Sequence, residues 1–230
     1  MGRKLLRTAF LDTVPVMTGY MVLGVGFGLL LRQNGYGLGW AFAMSLFIYA
    51  GSMQYLAVGL LSGGASLVTA ALTTLMVNAR HLFYGISMLD TYRGAGRKKP
   101  YLIFSLTDET YSLVSGRKLP EGEDKFRYCF LVSLLDQSYW VAGSVLGSAA
   151  GMLLPVNLEG IDFALTALFV TVFVEQWLST RDHRPALTGV GVTAVCLAVF
   201  GRDIFLIPSM VVIAGVLIWG SRTGKEVAHG

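Results

Sequence analysis

Asn78, Arg80 and His81 stand inside the segment 65–89, whose remaining residues are almost all apolar or small. An ionisable group at membrane depth is expensive unless it is paired or hydrated, so two of them side by side read as a site. Asn78 and His81 are three apart and share a helical face. Arg80 could instead snorkel toward headgroups, but the apolar run continues from Leu82 to Leu89, which favours the inward-facing reading. A second constellation, Thr107-Asp108-Glu109-Thr110, sets two carboxylates in a short apolar segment. They can pair with Arg80, accept an ammonium group or carry a proton. A third lies in Ile48-Tyr49-Ala50-Gly51-Ser52-Met53-Gln54-Tyr55, where Gly51, Ser52 and Gln54 interrupt an apolar span. A helix opened at Gly51-Ser52 would present amides to an anion and carbonyls to a cation. A continuous helix, with Ser52 bonded back one turn and Gln54 bonded to a neighbour, is the alternative. Asp12, Asp136 and Glu175 are further carboxylates, for which a place at a helix end by the membrane interface is the plainer account.

The elements that must position these residues follow from composition. Of 230 residues, 54% are apolar or aromatic and 14% charged, too little charge to coat a soluble domain. At about 20 apolar residues per crossing, the chain holds about eight spans at most. Candidate spans are 9–31, 36–61, 65–89, 101–115, 128–154, 161–179, 186–200 and 203–220, with 36–61 free of charge and 101–115 short and flanked by Pro100, Gly116 and Pro120. The expected fold is an all-α integral membrane protein of about seven or eight transmembrane or re-entrant helices, some of them broken. It forms a single polytopic domain over 1–230. Leu11-Asp12 followed by Gly19 and Gly24 parallels Leu135-Asp136 followed by Gly143 and Gly147, which hints at repeat halves 1–116 and 126–221. The run Gly24-Val25-Gly26-Phe27-Gly28 follows no strand, so it reads as a helix-packing face and not as a dinucleotide loop.

The net charge of +4 comes from short basic clusters between apolar segments, which fit cytoplasmic loops and do not suggest nucleic acid. Arg3, Lys4 and Arg7, then Arg181 and Arg184, then Arg222 and Lys225 are placed inside, and counting crossings back from the C-terminus adds the loop 117–127. The loop 93–99, with Arg93, Arg97, Lys98 and Lys99, conflicts if 101–115 crosses fully. Either one basic loop is external, or 101–115 is a half-helix matched by a re-entrant element among the first three segments. The basic start is expected to be retained as the first membrane helix, since no cleavage site follows a short apolar core. Cys129 and Cys196 lie alone in apolar runs and suit packing. No H-E-x-x-H, G-x-S-x-G or phosphate-binding loop occurs, so no catalytic residue, metal or cofactor is expected.

Four stretches together resemble the AzlC family of branched-chain amino acid transporters: Tyr49 to Gln54, Thr73 to Gly85 with its N-A-R-H-L-F-Y-G core, Leu106-Thr107-Asp108-Glu109-Thr110, and Asp162 to Phe169. They cover most of the chain in order. The resemblance implies a permease or exporter of valine, leucine and isoleucine, in some cases methionine, in the bacterial inner membrane, working with a small AzlD-type membrane subunit of about four helices.

An amino acid zwitterion needs an anion site and a cation site a few ångströms apart beside an apolar pocket. Arg80 with the amides near Gly51 and Ser52 would hold the carboxylate, with Gln54 and Asn78 alongside. Asp108 or Glu109 would hold the ammonium group, and Tyr55, Phe83 and Tyr84 would line the pocket. His81, Glu109, Asp12 and Asp136 are the candidates for proton coupling. Two other classes remain open at this point: a membrane enzyme acting on a lipid-soluble substrate, and a structural subunit whose partner forms the path.

Overall fold

The computed structural model describes residues 2–115, 117, 119, 124–153, 166, 170, 173–174, 177–178, 182–201, 205, 208–209, 211–213 and 215–216. In chain order its helices are α1 (Gly2–Gln33), α2 (Leu38–Phe47), α3 (Gly51–Ser62), α4 (Leu67–Val77), α5 (Ala79–Ser87), α6 (Lys99–Phe104), α7 (Asp108–Ser115), α8 (Lys125–Leu153) and α9 (Arg184–Phe200). A short 3₁₀ turn, Gly96–Lys98, leads into α6. No strand occurs among the described residues. The chain divides into two compact units, Met1–Leu168 and Phe169–Gly230.

Two helices are long and apolar enough to cross a bilayer, α1 with 32 residues and α8 with 29. They lie side by side and run parallel. Tyr128 meets Asp12, Trp140 meets Tyr20, Gly143 meets Gly24, and Gly151 meets Arg32. Glycine makes this approach possible. A Cβ on Gly24 would stand 3.0 Å from Ser144 N, and one on Gly28 or Gly147 would overlap the facing backbone at Ser144 O or Val25 O. Small residues on both faces are the means by which helices associate in lipid, where burial supplies no hydrophobic gain between them.

Between these helices, four short ones are too short to cross alone. At 1.5 Å per residue, α2 and α3 span about 15 and 18 Å, and α6 and α7 about 9 and 12 Å, against a hydrocarbon core of roughly 30 Å. The first pair is a hairpin. α2 starts beside Tyr36, descends until Leu46 O accepts from Gln137 Nε2 at 3.0 Å, and turns through 48–50. α3 then climbs back: Gln54 faces Trp140, Tyr55 donates to Leu23 O at 2.7 Å and packs on Phe27, and Val58 joins the same core. The span expected over 36–61 is therefore corrected to a re-entrant hairpin. The helix opens at Ile48-Tyr49-Ala50, one turn before the expected Gly51-Ser52, and Tyr49 takes φ +45°, a left-handed backbone that is rare outside glycine.

The second pair enters from the opposite side. Lys98 lies 3.8 Å from Asp124, Tyr101 packs on Phe130 and bonds Gln137, and the turn 105–107 reaches the level of Asp136. α7 then descends until Arg117 pairs with Asp12 at 3.1 Å. The segment 101–115 thus enters without crossing, and the conflict over the basic loops disappears, since Lys98 with Asp124 and Arg117 with Asp12 fall on one side. α4 and α5, 11 and 9 residues broken only at Asn78, make the crossing between the hairpins. They deliver Met88 and Tyr92 to a core with Leu5, Ala9, Tyr128 and Cys129. Outward-facing apolar side chains, such as Val22, Phe47, Leu67 and Leu75, suit a lipid surface.

This topology predicts a labelling pattern. In a chain with Cys129→Ala and Cys196→Ala, a membrane-impermeant maleimide on intact spheroplasts labels Asn34→Cys and spares both Arg97→Cys and Lys125→Cys until the membrane is permeabilised. Labelling of Arg97→Cys in intact spheroplasts would refute the second hairpin.

In the second unit, α9 matches the expected span 186–200, and Trp177 stacks on His183 with centroids 4.0 Å apart. Glu175, Asp162 and most of the spans expected over 161–179 and 203–220 lie outside the described residues.

Candidate functional site

The two hairpin tips meet. Tyr49 of the first and Phe104 of the second have ring centroids 6.4 Å apart, and Tyr49 is buried close to the Tyr20 hydroxyl. Gln137 ties both hairpins to α8, donating to Leu46 O and accepting from the Tyr101 hydroxyl at 2.8 Å.

The second turn sends the chain into α7 with Asp108 and Glu109 in its first turn, where the helix dipole favours negative charge. From Glu109 a line of oxygens runs inward. Glu109 Oε2 is 2.7 Å from the Tyr20 hydroxyl, which is 2.6 Å from Thr107 Oγ1. Thr107 Oγ1 donates to Thr110 Oγ1 at 3.1 Å, and Thr110 Oγ1 donates to Asp136 Oδ2 at 2.7 Å. Asp136 is wholly buried, and its Oδ1 has no partner among the described residues. Neither Glu109 nor Asp136 belongs to an ion pair there. A buried carboxylate such as Asp136 that lacks a cationic partner among the described residues is costly to accommodate.

The residues anticipated from sequence separate into four groups. Glu109 and Asp136 are joined in one network, with Asp108 next to Glu109 on α7. Asp136 is therefore a fully buried group and not an interfacial one. Gly51, Gln54 and Tyr55 anchor the first hairpin: Trp140 Nε1 donates to Gln54 Oε1 at 2.8 Å, Gln54 Nε2 donates to Ser45 Oγ at 3.2 Å, and Gly51 lies against the Trp140 ring. Ser52 is buried beside them. Asn78 marks the α4–α5 break, with its Oδ1 buried and unpartnered among the described residues. His81 contacts Tyr84, which stacks on Tyr111 at 4.8 Å. Arg80 lies in the first turn of α5, and its side chain falls outside the described residues. Asp12 belongs to a separate cluster, paired with Arg117 and accepting from the Tyr128 hydroxyl at 2.7 Å.

Sequence reasoning missed Tyr20, Trp140 and Gln137. A tyrosine, a tryptophan and a glutamine inside long helices carry no local signal. Only the need of buried carboxylates and amides for partners points to them.

Short broken helices, two re-entrant hairpins and buried carboxyls at their meeting point define a multi-pass membrane protein with a polar site inside the bilayer. The chain belongs to the AzlC family, whose model, described as AzlC protein, matches residues 15–154. It is 45% identical over 211 residues to the Branched-chain amino acid transport protein AzlC of Bacillus subtilis, covering 92% of this chain and 83% of that one. It is 40% identical over 215 residues to an uncharacterized membrane protein of Helicobacter pylori, covering 94% of each. A third relative, an uncharacterized membrane protein of Haemophilus influenzae, is 41% identical over 206 residues, 89% of this chain and 84% of that one. No solved structure matches. The chain is a protein of the bacterial inner membrane.

Proposed function

We propose that this chain is a proton-coupled secondary transporter that exports branched-chain amino acids and works with a small AzlD-type membrane subunit. The substrate class is supported by 45% identity over 92% of the chain to the Bacillus subtilis relative of that name. The observation that carries the mechanism is the line of oxygens from Glu109 to Asp136, set where two hairpins from opposite sides meet. Half-helices that end inside the membrane offer amide and carbonyl ends to a zwitterion. Asp108 at the start of α7 receives the ammonium group, and Arg80 with Asn78 at the α4–α5 break receives the carboxylate. His81 and Tyr84 stand beside that break.

The test is counterflow of labelled valine into proteoliposomes holding this chain, with and without the four-helix membrane subunit. Saturable exchange is expected for valine, leucine and isoleucine, with Arg80→Ala losing about tenfold or more, the scale of one charged hydrogen bond. Absence of saturable flux for all three amino acids, in both preparations, would overturn the proposal.

A further inference from the structure

We infer that Glu109 and Asp136 share a single proton, which passes between them through the hydroxyls of Tyr20, Thr107 and Thr110. The count of protons leads there. Four oxygen-to-oxygen contacts of 2.7, 2.6, 3.1 and 2.7 Å join five groups in series. Each hydroxyl carries one proton, and an ionised carboxylate carries none. With both acids ionised, three protons serve four contacts, and one pair of oxygens meets lone pair to lone pair. With both acids protonated, five protons crowd the same four contacts. One proton on one acid fills every contact once.

The donor directions run outward from the middle of the line, Tyr20 donating to Glu109 Oε2 on one side and Thr107 through Thr110 to Asp136 on the other. That leaves the 2.6 Å contact between Tyr20 and Thr107, in which either oxygen can donate, without a proton until one acid takes one up. A proton taken up by Glu109 is donated to Tyr20, which then turns its own to Thr107. In this state Glu109 is the protonated end and Asp136 the ionised one. Transfer is a relay of four steps. The Glu109 proton moves to the Tyr20 oxygen, the Tyr20 proton to Thr107, the Thr107 proton to Thr110 and the Thr110 proton to Asp136 Oδ2. Each hydroxyl gains one O–H bond and loses one, no electron changes hands, and the product is ionised Glu109 with protonated Asp136.

Tyr49 from the first hairpin tip lies near both acids, Tyr101 from α6 lies near Asp136, and Asp108 lies near Glu109. No lysine, arginine or histidine pairs with either acid among the described residues. Tyr20 and Asp136 belong to α1 and α8, while Glu109, Thr107 and Thr110 belong to the second hairpin and its tip. Three of the four contacts therefore join hairpin to long helix, and a displaced hairpin breaks the relay.

The role of this relay in transport rests on the proton-coupled reading above; its existence does not. The test has two arms. Infrared difference spectroscopy of the purified chain in lipid reads the carbonyl stretch of protonated carboxyls. A band corresponding to one group is expected, absent in Glu109→Gln combined with Asp136→Asn. No band, or an intensity for two groups, overturns the shared proton. In proteoliposomes, Thr110→Val, which removes the hydroxyl at constant volume, is expected to lose gradient-driven valine flux by at least about tenfold. Thr110→Ser restores it. Equal gradient-driven flux in the Val and Ser variants overturns the relay. Absence of counterflow in the unaltered chain would sink the transport reading and leave the infrared result to decide the proton.

Discussion

Gly147→Val is expected to destabilise the folded state strongly, by forcing the two long helices apart. The missing side chain is what lets α8 touch α1: the backbone of Val25 is so near that an added Cβ would overlap Val25 O and stand 2.7 Å from its Cα. No flexible side chain lies in the way to yield, so the helices must separate. In a bilayer the attraction between helices is dispersion and hydrogen bonding, since lipid is as apolar as the protein. Separation by about an ångström therefore removes much of what holds the pair. Overpacking in rigid cores costs about 1–3 kcal/mol, and a clash of backbone with β-branched side chain belongs at the top of that range or beyond it. Gly19 is the control, as nothing lies within 4 Å of its would-be Cβ. Gly19→Ala should hold or raise the melting temperature, a helical glycine being about 1 kcal/mol worse than alanine. Thermal unfolding followed by size-exclusion chromatography in detergent checks both. A Gly147→Val curve overlaying that of the unaltered protein would mean the contact between the long helices is not as close as described.

Trp140→Ala comes second. Its ring packs edge-on against Tyr20 with centroids 5.5 Å apart, stacks near Phe27 at 6.3 Å and abuts Gly51, while its N–H serves Gln54. Truncating a buried tryptophan costs about 3–5 kcal/mol in water-soluble cores. Here the lower end applies, because lipid shares the apolar transfer term. To that is added about 1–3 kcal/mol for a glutamine amide left without its donor. Trp140→Phe should lose mainly the hydrogen bond, and adding Gln54→Leu should return part of the loss by removing the stranded group. Recovery in that double variant separates the hydrogen bond from the packing. A Trp140→Ala protein as stable as the original would show that the first hairpin is held from elsewhere.

Much of the site was legible before the structure because polar residues in apolar runs are conspicuous. Gly51 to Gln54, Asn78 to His81 and Thr107 to Glu109 each lie at or beside a helix break. The direction of the chain at those breaks was not legible in the first case. The 36–61 run is charge-free and long enough to cross, and hydropathy counts residues without knowing whether the backbone turns back at Tyr49. In the second case it was half legible. Two basic loops flanking one short segment imply a segment that returns to its own side, and the positive-inside argument had that answer as one of two. That Gln54 and Tyr55 anchor the first hairpin was not legible, because a polar side chain in a membrane helix serves a neighbour as readily as a ligand. Their partners, Trp140 and Leu23, are 86 and 32 residues away in sequence.

The glycine contact between α1 and α8 also decides which parts of the protein can stay still. Sliding one helix by a single residue, about 1.5 Å, would take Gly24, Gly28, Gly143 and Gly147 away from the backbone that each of them faces. The two long helices therefore behave as a keel with one register. Any alternation of access to the two sides of the membrane falls to the hairpins, which are fastened to that keel by individual side chains at Gln137, Trp140 and Asp136 and not by a continuous backbone seam. Gln137 bonds both hairpins, the first at Leu46 O and the second at the Tyr101 hydroxyl, so one side chain is shared between the two fastenings.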